Sequence, residues 1–209
     1  MSEDDIIKEK IFSACQDRFF KEGFSKTSVD EIATDLAMSK KTFYKHFDSK
    51  EDLVQQIMER IMGGVRTNSE RILLSDESAV EKLSDIISML ATNTSRLTPA
   101  FGQDVQRRLP DLWKQIQEFR RQRISDIFSR LMRQGIEEGT MRADMNTRVF
   151  LLCVLSAIEG IMQPHLLAHE SFSVSDAIKE ILSIFFRGGL TEKGRATFEE
   201  LQHTQHQPM

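Results

Sequence analysis

Apolar residues recur three and four positions apart along almost the whole chain, without a sustained alternation of two, and this pattern predicts an all-α protein. Ile7, Ile11, Ala14, Cys15 and Phe19 predict a first helix over 6–22. Gly23 stands where a left-handed C-cap belongs, and Phe24 then turns back into the core. Ser28 followed by Glu31 makes a capping box that opens a second helix at Val29, with Val29, Ile32, Ala33 and Leu36 on its inner face. Ala37 and Met38 form a tight turn. Ser39 caps a third short helix anchored by Phe43 and Phe47. A longer helix opens at Asp48 or Ser49, with Leu53, Ile57 and Ile61 at intervals of four beside Val54, Met58 and Met62. Gly63 and Gly64 mark a bend in it, its end, or a loop.

From Ser78 the pattern is that of a separate helical bundle. Ser78 and Glu81 form another capping box, and Leu83, Ile86, Ile87 and Leu90 make the core stripe of the helix that follows. A brief helix is predicted from Pro99 to Leu109. Pro110 then starts a long one along which Leu112, Ile116, Phe119, Arg123, Ile127, Leu131 and Met132 run as far as Gly135 or Gly139. Thr147 to Ala168 is apolar on nearly every side, and Val174 to Arg187 adds another apolar helix stopped by Gly188 and Gly189. One flank of a small bundle cannot bury all of that surface, so a second copy of the chain is expected to cover it. Leu151, Leu155, Ile158, Ile178, Ile181, Leu182 and Phe185 are the candidate dimer interface. After Leu190 the composition turns polar and predicts a frayed helical tail.

Two short helices across a tight turn have the layout of a helix-turn-helix. On a 100° wheel Lys40, Lys41, Tyr44 and Lys45 share roughly 140° of arc while Phe43 and Phe47 point away, a shape that fits a DNA major groove. Formal charge is −4, from 28 basic and 32 acidic residues, so the molecule as a whole is not a general polyanion binder. The positive charge is local: between Met38 and Lys50, the bases Lys40, Lys41, Lys45 and Lys50 face Asp48 alone among acids. Lys40, Lys41 and Lys45 are candidates for guanine edges, and any of them can instead hold phosphate. Thr27, Ser39, Thr42, Tyr44, His46 and Lys50 suit the DNA backbone. Thr42 and His46 suit packing or capping inside the small domain equally well.

The run GF-KTSVDEIA-DLAMSKKTFYKHF-SKEDL resembles the DNA-binding domain of the TetR family of bacterial transcriptional regulators, over about residues 5 to 60. One departure is Ala37, where many members carry glycine; a left-handed residue without glycine costs on the order of 1 kcal/mol. The resemblance implies a three-helix DNA-binding domain over 1–50, a helical ligand-binding and dimerisation bundle over 51–190 and a polar tail over 191–209, about nine helices in all. It also implies a homodimer on a palindromic double-stranded operator, most often as a repressor. A small effector bound in the bundle would shift the fourth helix and release the DNA. Tyr44, the only tyrosine, holds the place of the tyrosine found in most members, and Lys50 the place of a residue that touches the DNA backbone.

By position Met89, Phe101, Trp113, Ile116, Phe119, Cys153, Glu159 and Met162 are candidates to line an effector cavity, although a Met and aromatic stripe serves as core more often than as pocket. The apolar body favours a lipophilic effector. Arg107, Arg108, Arg120, Arg121 and Arg123 read as a solvated face, with an arginine that meets an anionic ligand as the alternative. Cys15 and Cys153 lie in apolar patterns without metal or CxxC spacing and are expected to be reduced core residues. His203 and His206 lack partners for a metal. No glycine-rich phosphate loop or metal-spaced cluster points to an enzyme, no cofactor is implied, and no run is long enough for a membrane span. The acidic N-terminus has no secretory core, so a cytoplasmic protein is expected. A helical ligand-binding or interaction protein with weak or no DNA binding stays open beside the regulator, on the strength of the acidic overall charge.

Overall fold

The computed structural model describes residues 2–167 and 170–205, with side chains as far as 201. Residue 168, the side chain of His203 and the whole of His206 therefore lie outside the described residues. Eleven helices are present among them: α1 Glu3–Glu22, α2 Val29–Asp35, α3 Lys40–His46, α4 Lys50–Leu73, α5 Ala79–Thr94, α6 Pro99–Arg108, α7 Pro110–Glu137, α8 Thr147–Ile161, α9 Pro164–Leu167, α10 Val174–Gly189 and α11 Glu192–Gln205. The only extended pairing among them is one antiparallel bridge between Met141 and Leu190. The helical contacts divide the chain into two compact units, Met1–Gly63 with Arg96–Ile116 and Gln163–Ser171, and Gly64–Ser95 with Gln117–Met162 and Phe172–Met209. This division differs from one drawn at residue 50, because the first half of α4, α6 and the start of α7 share a core with α1 to α3.

In the first unit the helix starts follow the polar punctuation. Ser28 accepts from the Glu31 backbone while Glu31 reaches back to the Ser28 amide, and Ser39 accepts from the Thr42 amide. An unforeseen capping box joins Ser2 and Asp5, so α1 begins earlier than its apolar stripe. The core is aromatic: Phe19, Phe24, Phe43 and Phe47 are fully buried, with Phe20 edge-on to Phe101. Helix α2 ends in a Schellman motif, in which the Met38 amide donates to the Ala33 carbonyl and the Ala37 amide to that of Thr34. Ala37 takes the left-handed position with φ 51°, the only non-glycine residue at positive φ among those described.

Helix α4 runs unbroken through Gly63 and Gly64, so neither a loop nor a helix end occurs there. The division between the two units nevertheless falls between these glycines. A Cβ at either would meet open space, so close packing does not explain them.

In the second unit α10 packs on α5 and α8. Phe186 lies 4.9 Å from Phe128 and 5.3 Å from Phe150, ring centre to ring centre. Glu70, late in α4, accepts from Arg123 and Arg130 of α7, and Lys82 is buried with its ammonium on the Leu73 carbonyl at 3.2 Å, a cation at a helix C-terminus. The long apolar run after Thr147 breaks before Pro164, where the ring cannot continue the helix, and becomes α8 and α9. As far as Gln205 the expected frayed tail is instead a docked helix. The Thr191 amide donates to the Thr140 carbonyl at 3.0 Å, Phe198 is 2% exposed, and α11 packs on α5. Gly194 permits this contact, since a Cβ there would overlap the Thr140 carbonyl oxygen.

Two substitutions test this local physics. Ala37→Gly should stabilise the protein by about 1 kcal/mol in urea unfolding, because the left-handed position no longer carries a Cβ. Gly194→Ala should destabilise by about 2 kcal/mol or more and raise hydrogen exchange along α11, because a main-chain carbonyl cannot yield as a flexible side chain would.

Candidate nucleic-acid interface

Helix α3 has seven residues, too few to persist alone in water, and is held by its inward side. Phe43 and Phe47 are buried at 0% and 1% exposure, and Phe43 meets the Tyr44 ring edge-on at 5.4 Å. Tyr44 consequently stands out from the surface, 52% exposed. Lys40, Lys41 and Lys45 are exposed on the same side. A short helix held by buried aromatic rings, with a phenol and three ammonium groups outward, can enter a groove without rearranging its support.

The three lysines differ in their neighbours. Lys40 is paired with Asp30 of α2 at 2.6 Å and Lys45 with Asp4 of α1 at 2.6 Å. That hydrogen bond from Lys45 holds the Asp4 carboxyl below its ordinary pKa. Lys41 forms no ion pair or hydrogen bond with any described residue, so its ammonium is the one of the three directly available to a phosphate or a base. Sequence reasoning missed Asp4 and Asp30 because each meets its lysine through the fold; Asp4 and Lys45 are separated by 41 positions.

Several expected backbone contacts are occupied or buried. Thr27 is 1% exposed, and its hydroxyl is enclosed without a hydrogen-bond partner, so it is not presented to DNA in this structure. The reason lies in its backbone: the Thr27 carbonyl accepts from the Lys50 ammonium at 2.8 Å, with that ammonium 5.8 Å from the centre of the Phe24 ring. Lys50 is thereby folded onto the domain as a support. His46 has a side chain only 7% exposed, its Nε2 3.9 Å from Asp4, so the packing alternative describes it better than a phosphate contact. Ser39 and Thr42 are joined hydroxyl to hydroxyl at 2.9 Å while Ser39 caps α3.

The other candidate residues fall into both units. Phe101 and Ile116 belong to the aromatic core of the first, with Trp113 packed partly buried against it, and act there as core residues. Met89, Phe119, Cys153, Glu159 and Met162 lie in the second unit. Cys153 is exposed, contrary to the expected core position, whereas Cys15 is enclosed and its thiol is pushed up to about 12 by burial. Glu159 is ion-paired with Arg121 at 3.0 Å. Of the expected dimer residues, Ile158, Ile178 and Leu182 are buried in the chain's own core and Leu151, Leu155, Ile181 and Phe185 are half-buried. The outward apolar residues are instead Val149 and Leu152 on α8 and Ile184 on α10, at 55%, 55% and 61% exposure. An open apolar groove of about 430 Å³ lies along α10, lined by Ile161, Phe172, Ala177, Ile181 and Ile184 with Asp176 and Glu180. Among the described residues no helix is long and apolar enough to cross a membrane.

An anchored short helix at the end of a capped pair has the layout of a helix-turn-helix DNA-binding domain. Residues 11–57 match the family described as bacterial regulatory proteins of the tetR family. The chain is 24% identical over 163 residues to the transcriptional regulator UidR of Escherichia coli, covering 74% of this chain and 79% of that one. It is 23% identical over 142 residues to the transcriptional repressor KstR2 of Mycolicibacterium smegmatis, covering 66% and 69%. Its fold matches a transcriptional regulator from Cytophaga hutchinsonii with a TM-score of 0.66 at 21% identity, over 88% of this chain and 98% of that one. Residues 11–57 thus carry a DNA-binding domain of the tetR family.

Lys41→Ala and Tyr44→Ala should each weaken binding to the cognate duplex by about tenfold or more, measured by fluorescence anisotropy. Thr27→Val, which removes only an enclosed hydroxyl, should leave that affinity within about twofold.

Proposed function

We propose that this chain is a homodimeric, ligand-responsive repressor acting in the cytoplasm on a palindromic operator. The observation that carries the reading is the outward array of Lys41 and Tyr44 on a helix whose opposite side is locked by Phe43 and Phe47. Two copies related by a two-fold axis present two such helices to successive major grooves, so the symmetry of the site follows that of the protein. Tyr44 and Lys41 make the principal DNA contacts. Lys40 and Lys45 join them once their carboxylate partners are displaced, while Ser39, Thr42 and Lys50 hold the geometry of the domain.

The dimer forms through the outward faces of α8 and α10, with Val149, Leu152 and Ile184 at its centre and Leu151, Leu155, Ile181 and Phe185 around them. Support comes from the exposed apolar side chains on both helices, an arrangement that a lone soluble chain rarely leaves uncovered. The effector is lipophilic and is received by the helical body, where Met89, Phe119 and Met162 offer soft apolar contacts. Its differential affinity for the non-binding arrangement works through α4, whose second half is tied to α7 by Glu70 with Arg123 and Arg130. The repressor sign follows the named relative KstR2.

Leu152→Glu and Ile184→Glu test the coupling of assembly to binding, since both side chains are exposed within one chain and charge there should not disturb its core. Each variant is expected to keep its helical circular dichroism, to sediment as a monomer, and to lose at least about a hundredfold in operator affinity because the half-sites are no longer linked. A well-folded dimer with unchanged affinity from both would place the interface elsewhere.

A further inference from the structure

The assignment of α3 as the DNA-reading helix leaves unexplained why two of its three lysines are engaged by acids. Asp4 comes from the first turn of α1 and Asp30 from the first turn of α2, and each approaches a lysine of α3 at 2.6 Å. Asp4 also faces the His46 ring at 3.9 Å, and Glu3 and Asp5 extend the negative first turn of α1 beside it. We propose that Asp4 and Asp30 restrain DNA binding: each carboxylate competes with phosphate for a lysine of the reading helix, so that any duplex is held more weakly than the exposed lysines alone would hold it. The proposal rests on the reading of α3 as the DNA-binding helix.

A phosphate that takes Lys40 or Lys45 replaces a carboxylate already in place and leaves that carboxylate beside the DNA backbone, where like charge repels it. Such an exchange gains little over the free state and reduces the number of lysines that contribute counterion release. An exposed ion pair is nevertheless weak, so it yields where base-edge contacts are added to the phosphate contact. Lys41, which has no partner among the described residues, supplies attraction to any duplex. The two engaged lysines in each chain add to it only as each leaves its carboxylate.

The test uses the full-length protein, a random-sequence duplex of about 30 bp and the duplex enriched by selection, with anisotropy titrations at several salt concentrations. Asp4→Asn combined with Asp30→Asn should bind the random duplex about tenfold more tightly at low salt. Its plot of log affinity against log salt should steepen by about one for each lysine released. Affinity for the selected duplex should rise by about tenfold as well, since there too the lysines no longer have to leave a carboxylate. Asp144→Asn, which removes the same charge from a pair with Arg142 in the other unit, should behave as the unaltered protein. Adding Lys40→Gln to Asp30→Asn should abolish the gain of the latter, and thermal melts monitor folding of every variant. Random-duplex affinity and salt slope unchanged in the double Asp variant would overturn the proposal, as would an equal gain from Asp144→Asn, which would make the effect one of net charge. Failure of the unaltered protein and all variants to bind either duplex would overturn the DNA reading itself, and the proposal with it.

Discussion

A helix of seven residues cannot hold itself together in water, because the cost of fixing its first turn is not recovered over so few hydrogen bonds. The function of this chain depends on how α3 escapes that limit. Ser39 satisfies its N-terminus, and the Phe43 and Phe47 rings fix its inner side in a core of phenylalanines from α1, α3 and α6. Burial of two aromatic side chains contributes about 3–6 kcal/mol less the ordering cost, far more than the intrinsic propensity of the segment. Tyr44 is outward because its neighbour is inward, so the stability of the domain and the aim of its reading surface have one cause.

The charges around that helix divide the work differently from a simple basic patch. Lys50, which a sequence pattern assigns to phosphate, supports the Thr27 carbonyl, and Lys40 and Lys45 are held by carboxylates of neighbouring helices. A domain in a protein of formal charge −4 thereby presents a modest attraction to DNA in general. Recognition by such a surface draws on direct contacts more than on bulk electrostatics.

What was legible in the sequence follows from what is local. The capping boxes at Ser28 with Glu31 and at Ser78 with Glu81, the left-handed turn at Ala37 and the inward Phe43 each depend on residues a few positions apart, and each is present in the structure. The facing of α8 was not legible, since a helix apolar on nearly every side carries no phase; the structure turns Ile158 inward and leaves Val149 and Leu152 outside, while on the amphipathic α10 Ile178 and Leu182 belong to the chain's own core and Ile184 lies outside. The tail misled through its average polarity. One buried phenylalanine, Phe198, and one close glycine contact at Gly194 suffice to dock α11. Of the candidate DNA contacts, Lys41 and Tyr44 emerge exposed, whereas Thr27 and His46 are enclosed because the register of neighbouring helices, absent from any local pattern, closes over them.

The central claim is that a symmetric pair of these short anchored helices reads a defined DNA sequence. The most direct measurement is selection of bound sequences from a random duplex pool by the purified protein, without added effector, at two salt concentrations. The account predicts enrichment of a palindrome whose half-sites lie about one DNA turn apart or somewhat more, retained at the higher salt. Recovery of the pool without any enriched sequence at either concentration would contradict it.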